Sequence, residues 1–313
     1  MRLRNRAILA GLRSATALSQ ALSGGRAIGL ACVFAAKLMS KDDWLKFDLG
    51  GGGTFGVPRN DRYWLHYLLL ERQYEPDLDH FLSRMMTGGD SFLDCGANLG
   101  LWSVVASQVI DDPRRVVAIE AGKRTFSRLK RNWETNGKSF SVINKAVGLR
   151  SGDSVTFYSS ESDHASATMK AELSPQDAKV ELIETISVGE LTDQQAEFRT
   201  SDDQLIFVKL DIEGMEREIF ASIEPGKFGN VIFLFEDHGN VRDHISIDAL
   251  ERGFQVAFLA DDGSIEVIIQ ENIGRLDLLK TNPARGYNLI ALSPNGMAER
   301  RITRCFGPIL QGK

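Results

Sequence analysis

Acidic residues recur in this chain where short apolar segments run out. Asp94 closes Ser91–Cys95 and leads into Gly96-Ala97-Asn98-Leu99-Gly100. Glu120 closes Arg115–Ile119. Lys209-Leu210-Asp211-Ile212-Glu213-Gly214-Met215-Glu216 ends and follows Leu205–Leu210, and Glu236-Asp237-His238-Gly239-Asn240 follows Asn230–Phe235. Glycines let a backbone turn tightly and approach a ligand closely, and a helix that starts after such a turn offers free N–H groups. A dinucleotide fingerprint needs Gly-x-Gly-x-x-Gly. Counting from Gly96, its second and third glycine positions hold Asn98 and Leu101, so the fingerprint fails. A carboxylate at Asp94 would repel a pyrophosphate. It suits a cationic ligand, such as the amino and sulfonium groups of S-adenosylmethionine. Glu120, about 20 residues beyond the turn, is placed for two ribose hydroxyls.

The two later clusters carry groups for chemistry on an acceptor. Strand alternation puts Lys209, Asp211 and Glu213 on one side while the strand lasts. Asp211 and Glu213 then reach the edge where the cofactor sits. Glu236, His238 and the amide of Asn240 form an acid, imidazole and amide set that can position and deprotonate a hydroxyl. Asp211, Asp237 and Asn240 are also oxygen donors of the kind Mg²⁺ takes, but this metal reading is not the favoured one. His164 is a second, weaker functional histidine. His66, His80 and His244 read as helix or surface residues.

These residues need a scaffold of strands and helices in alternation. After Asp90 the sequence supplies it. Apolar strands at 91–95, 115–119, 140–144, 205–210 and 230–235 alternate with helices at 101–110, 124–136, 213–223 and about 242–252, and two more strands fit 254–259 and 288–292. That pattern predicts an α/β fold with a mainly parallel sheet, which binds its ligand at the carboxyl ends of the strands. Between Ala146 and Leu191 the alternation breaks, and strands at 155–158 and 184–188 around a Ser-rich stretch read as a β insertion after strand three, close to the ligand site. The expected organisation is a basic and apolar extension over 1–41, a helical region over 42–89 with a turn or hinge at Gly50–Gly53, a core over 90–295 and a tail over 296–313.

Several stretches resemble the FkbM family of S-adenosylmethionine-dependent methyltransferases. They are YEPDL (74–78), FLDCGANLGLWSV (92–104), VVAIEA (116–121), INKAVG (143–148) and FVKLDIEGMEREIF (207–220), in family order. The resemblance implies a Rossmann-like class I methyltransferase fold with a seven-stranded sheet whose last strand is antiparallel. It implies S-adenosylmethionine as cofactor and O-methylation of a sugar, glycan or natural-product hydroxyl. By motif, Asp94, Gly96, Asn98 and Gly100 cradle the methionine part, Glu120 holds the ribose, and Asn144 and Ala146 lie along the adenine. Asp211 and Glu213 face the transfer site. Apart from the resemblance, the chemistry of the two later clusters suits His238 or Asp211 as base and Glu213 and Glu236 as hydroxyl-binding groups. The family's frequent Glu-Pro after strand two is Glu120-Ala121 here.

Composition narrows the alternatives. The 313 residues carry a net charge of −5, with 43% hydrophobic and 25% charged residues, an ordinary globular balance. Residues 1–41 hold seven Lys or Arg and no acid, so residues 42–313 carry −12. An acidic body disfavours a nucleic acid substrate. The Asn/Asp-Pro-Pro-aromatic motif of base amino-methylation is absent, the corresponding position reading Asp211-Ile212-Glu213-Gly214. Three separated cysteines argue against a disulfide scaffold or a cysteine zinc site. The apolar run Ala27–Ala36 is too short to span a bilayer. The basic extension is read as a loose tail, a lipid-touching surface helix or an export signal. A cytoplasmic enzyme is expected, with peripheral contact at the inner membrane face through residues 1–41. Outside the methyltransferase reading stand a nicotinamide-dependent oxidoreductase, against which the broken fingerprint counts, and an inactive scaffold of the same fold.

Overall fold

The computed structural model describes residues 44–307, apart from 60, 72, 161–167, 172–173, 175–177, 213, 239–244 and 283–284, together with residues 10, 11 and 14. The chain divides into two compact units, Met1–Pro76 and Asp77–Lys313. In the first, β1 (Trp44–Gly50) and β2 (Gly53–Pro58) form an antiparallel hairpin. The four glycines are its turn, with Gly50, Gly51 and Gly52 all at positive φ. The expectation of a helical region over 42–89 is therefore corrected at its start: alternate residues Leu45, Phe47, Phe55 and Val57 are buried, which is strand periodicity. Helix follows as α1 (Arg62–Leu65), continued by a π-helical stretch His66–Glu71.

The second unit opens with α2, which starts at the last residue of the first unit (Pro76–Met85). Eight strands then form one sheet: β3 (Ser91–Cys95), β4 (Val116–Ile119), β5 (Ser141–Ile143), β9 (Ile206–Leu210), β10 (Val231–His238), β11 (Gln255–Leu259), β12 (Ile265–Ile268) and β13 (Gly286–Leu292). Their order is β12-β11-β13-β10-β9-β3-β4-β5. The run β10-β9-β3-β4-β5 is parallel, and β13 lies antiparallel between β10 and β11. The expected seven strands with an antiparallel last strand are present. The eighth, β12, arises because Asp261–Ser264 turns the chain back along β11.

The intervening helices are α3 (Leu101–Ala106), α4 (Lys123–Thr135), α5 (Val188–Ala196), α6 (Glu216–Ser222), α7 (Ile245–Glu251), α8 (Arg275–Leu279) and α9 (Met297–Phe306). On one sheet face Leu93, Val208, Leu210, Phe233 and Phe235 pack with Ile219 and Phe220 of α6 and Ala249 of α7. α2 and α9 are joined by a Phe81–Phe306 stack and by Arg84 donating to the Cys305 carbonyl at 2.7 Å. Arg301 of α9 reaches the buried Asp90 at 2.6 Å, whose other oxygen accepts Leu205 N at 2.7 Å.

Between β5 and α5 the predicted insertion is a three-stranded sheet of β6 (Ala146–Gly148), β8 (Lys179–Ser187) and β7 (Ser154–Ser159). Its buried residues Ala146, Phe157 and Ile183 pack with Ala121, immediately after Glu120. Strand three stops at Ile143, and Ala146 opens β6. No helix among the described residues is long and apolar enough to cross a membrane.

Candidate functional site

The register of the central strands gathers the predicted acids at one edge. Asp94 pairs with Lys209 across β3 and β9, and Lys209 with Leu234 across β9 and β10. Paired residues share a face, and residues two apart on a strand share it too. Asp94, Lys209 and Glu236 therefore lie on one face, and Asp211, just beyond the end of β9, is joined to Lys209 there. Lys209 is buried, and its Nζ sits 2.7 Å from Asp211 Oδ2.

The glycine turn is built from backbone. Gly96 N and Ala97 N both donate to Ile119 O, at 3.0 and 2.9 Å. Gly96, Asn98 and Gly100 have φ of +82°, +51° and +83°. Gly96 presses on the next loop: a Cβ there would overlap the Asp211 carbonyl oxygen. At Gly100 a Cβ would meet Leu129 of α4.

Glu120 closes the turn from beside it. Its carboxylate accepts Asn98 N at 2.9 Å and Gly122 N at 2.8 Å. Burial pushes the Glu120 carboxyl up to about 7, against these two hydrogen bonds. A carboxylate has about four lone-pair positions, so two remain for hydroxyl donors, the number a ribose presents. Asn144 sits beneath, its amide nitrogen donating to Glu120 O and Ala121 O at 2.8 and 2.9 Å. Its amide group thus holds the loop that carries Glu120. Ala146 is buried in the insertion core, one strand further on.

Asp94 is buried under the turn. Its Oδ2 accepts the Ser103 N–H at 3.0 Å and the Ser103 hydroxyl at 2.6 Å, which fixes the start of α3. Burial raises its pKa, and the Lys209 charge opposes that rise. Glu236 is half-buried. Burial first, and the Asp211 charge second, push it up to about 7, with Lys209 pulling the other way. A Cβ on Gly286 of β13 would overlap the Glu236 carboxylate, so that side chain lies across a glycine seat.

Asp237 departs from the predicted arrangement. Adjacent strand residues point to opposite faces, and Asp237 is on the far side from Glu236. There it is 3.1 Å from the buried Lys280 Nζ and accepts the Ser246 hydroxyl at 2.9 Å. Asp211 and Asp237 of the expected oxygen-donor set lie on opposite faces of the sheet, which parts the two carboxylates of the Mg²⁺ alternative. Among the described residues no group of three or more His, Cys, Asp or Glu is placed to hold a metal. His238 ends β10 with its backbone paired to Gly286. Its side chain, and Glu213, Asn240, His244 and His164, lie outside the described residues.

Sequence reasoning passed over three contributors. Ser103 lies nine residues from Asp94, a spacing without a local pattern. Gly286 has meaning only once β13 is known to lie beside β10. Glu216 has a readable signal, an acid at the first position of a helix behind a glycine. Its carboxylate accepts Ile212 N at 2.8 Å and Gly214 N at 2.9 Å.

Comparison with known proteins bears on this geometry. Residues 94–256, just over half of the chain, match the family described as Methyltransferase FkbM domain. No curated protein matches. Similar solved structures include a precorrin-6y C5,15-methyltransferase from Geobacter metallireducens GS-15, at 12% identity, TM-score 0.35, with 69% of this chain and 86% of that one covered. Another is methyltransferase FkbM from Methylobacillus flagellatus KT, at 14% identity and TM-score 0.39, with 85% of this chain and 59% of that one covered.

Proposed function

The chain belongs to the FkbM methyltransferase family, and from that premise we propose that it transfers a methyl group from S-adenosylmethionine to a hydroxyl of a sugar, glycan or natural product. The observation that carries the reading is the meeting of Asp94, Glu120, Asp211 and Glu236 at the carboxyl edge of the sheet, with Lys209 among them. An acidic edge suits a cationic cofactor and a neutral acceptor, and repels a polyanion. The glycine turn and Glu120 fit the cofactor's two ends. Glu120 retains acceptor capacity for ribose hydroxyls, while Asp94 places negative charge beneath the turn at Gly96, Asn98 and Gly100. Asn144 steadies the adenine side through the Glu120 loop.

S-adenosylmethionine, when bound, supplies a methyl group on a positively charged sulfur. The protein's own part is alignment and removal of one proton. Asp211, held by Lys209, accepts a hydrogen bond from the acceptor hydroxyl and fixes its direction. Glu236, on the same sheet face as Lys209 and pushed up to about 7 by burial and by the Asp211 charge, takes the hydroxyl proton in place of the His238 or Asp211 expected from the sequence. Glu213 and His238 are acceptor-side candidates on the sequence alone. No metal is required in this scheme.

The test is calorimetric titration with S-adenosylhomocysteine and with NAD, followed by transfer of a labelled methyl group to a panel of methyl glycosides. Binding of S-adenosylhomocysteine alone, with label in a glycoside, supports the reading. NAD binding, or cofactor binding with no labelled hydroxyl compound, overturns it. The basic residues 1–41 fit contact with an anionic membrane face. Equal sedimentation with anionic vesicles by the full chain and by a chain starting at residue 42 would refute that role.

A further inference from the structure

The carboxylate of Glu216, which the scheme above leaves unused, stands at the start of α6 and is buried. It bridges two backbone N–H groups of the preceding loop, Ile212 N and Gly214 N. Gly214 has φ of +104°, which a side chain would resist. The same loop begins at Asp211, whose N–H donates to Cys95 O at 3.0 Å and whose carbonyl presses on Gly96. The acceptor-side loop is thus held at both ends: by the sheet at Asp211, and by one carboxylate at Ile212 and Gly214. Glu120 holds the cofactor turn in the same manner, through Asn98 N and Gly122 N. The two sides of the site have separate carboxylate clamps.

The geometry points to Glu216 as the positioning residue of the acceptor side: its carboxylate fixes the loop carrying Asp211 and leaves the cofactor turn to Glu120. This rests on the reading above only for the name of the site. The carboxylate accepts one hydrogen bond from each of the two N–H groups. Losing one exposes its amide to opening of the loop. An amide side chain at 216 keeps one acceptor oxygen, and alanine keeps none.

The experiment is hydrogen exchange at single amides in the full chain for wild type, Glu216→Gln and Glu216→Ala, with and without formate, beside S-adenosylhomocysteine titrations. In Glu216→Ala, exchange at Ile212 and Gly214 should quicken by about tenfold, the equivalent of one lost hydrogen bond each. Exchange at Asn98 and Gly122 should stay within about twofold. In Glu216→Gln one of the two amides should keep its protection. Formate, a carboxylate without a chain, should restore protection in Glu216→Ala, which a mere packing role would not allow. Cofactor affinity should change by less than about threefold in each variant. Unchanged exchange at Ile212 and Gly214 overturns the proposal. So does loosening shared with Asn98 and Gly122, loss of protection that formate does not mend, or loss of cofactor affinity in step. Where Glu216→Ala fails to fold, the single unprotected amide in Glu216→Gln decides. Failure of cofactor to bind wild type would count against the proposed function and leave the exchange result standing.

Discussion

Gly96 and Asp211 touch through their backbones: no side-chain atom fits between the Gly96 Cα and the Asp211 carbonyl oxygen. The cofactor turn after β3 and the acceptor loop after β9 therefore share a boundary one atom thick. Gly96→Ala must push the two loops apart and hold a left-handed backbone, which alone costs about 1–2 kcal/mol. The expected outcome is loss of S-adenosylhomocysteine binding with a lowered melting temperature. A variant that binds as wild type would show that the turn can yield.

Glu120 should make cofactor binding pH-dependent. Hydroxyl donors favour its ionised form, and that carboxyl titrates at about 7 in the cofactor-free protein. Below that pH a proton must leave before the ribose is held, so affinity should climb by up to about tenfold per pH unit and level off above. Glu120→Gln loses an acceptor that Asn98 N or Gly122 N uses. It should weaken binding and flatten the pH profile, as titration between pH 5.5 and 8.5 would reveal.

Glu236 has a stability signature of the opposite kind to a salt-bridged acid. Its folded pKa of about 7 lies above the ordinary 4.5, so the folded state keeps the proton longer. Its contribution to stability is then present at low pH and is lost as pH rises from about 4.5 to 7. Glu236→Gln removes the ionisation. The variant should melt close to wild type at pH 4.5 and higher at pH 8, by about 2–4 °C for each kcal/mol relieved. Equal melting temperatures at pH 8 would mean that the carboxylate is better solvated than its position implies.

Behind β10 the pair Lys280–Asp237 is almost wholly buried, the two side chains being 2% and 1% exposed. Removing the cation alone strands a buried charge. Lys280→Met should cost about 3–5 kcal/mol in denaturant unfolding. Lys280→Met with Asp237→Asn should recover much of it. Full loss in the double variant would assign the effect to packing of the lysine stem.

Much of this site is legible in the sequence because its acids sit at strand ends, and strand ends are marked by where apolar runs stop. Asp94, Glu120, Asp211 and Glu236 were all found that way. What escaped is what depends on register and sheet order. Glu236 and Asp237 are neighbours in sequence, but alternation sends one to the site and the other to Lys280. The direction of that split is set by the pairing of Lys209 with Leu234. Gly50–Gly53 reads as a turn or a hinge, and it is the two strands flanking it, at 44–50 and 53–58, that the sequence left unread. The strands become evident only from their pairing and alternating burial. Asn144 and Asp94 were expected to meet a ligand directly. One oxygen of Asp94 and the amide nitrogen of Asn144 also bond to the protein's own loops, at Ser103 and at Glu120 O and Ala121 O, and no sequence pattern announces those contacts.

The position of β13 bears on how the chain emerges during synthesis. A strand made of residues 286–292 lies between β10 and β11, which are finished some 30 to 50 residues earlier. Asp90, at the threshold of β3, waits still longer for Arg301. A nascent chain that already holds the glycine turn and every acid of the site thus has a gap in its sheet and a buried carboxylate without its cation. Closure waits for residues 286–301, so a chain stopped short of them is left open at the sheet and exposed to proteases.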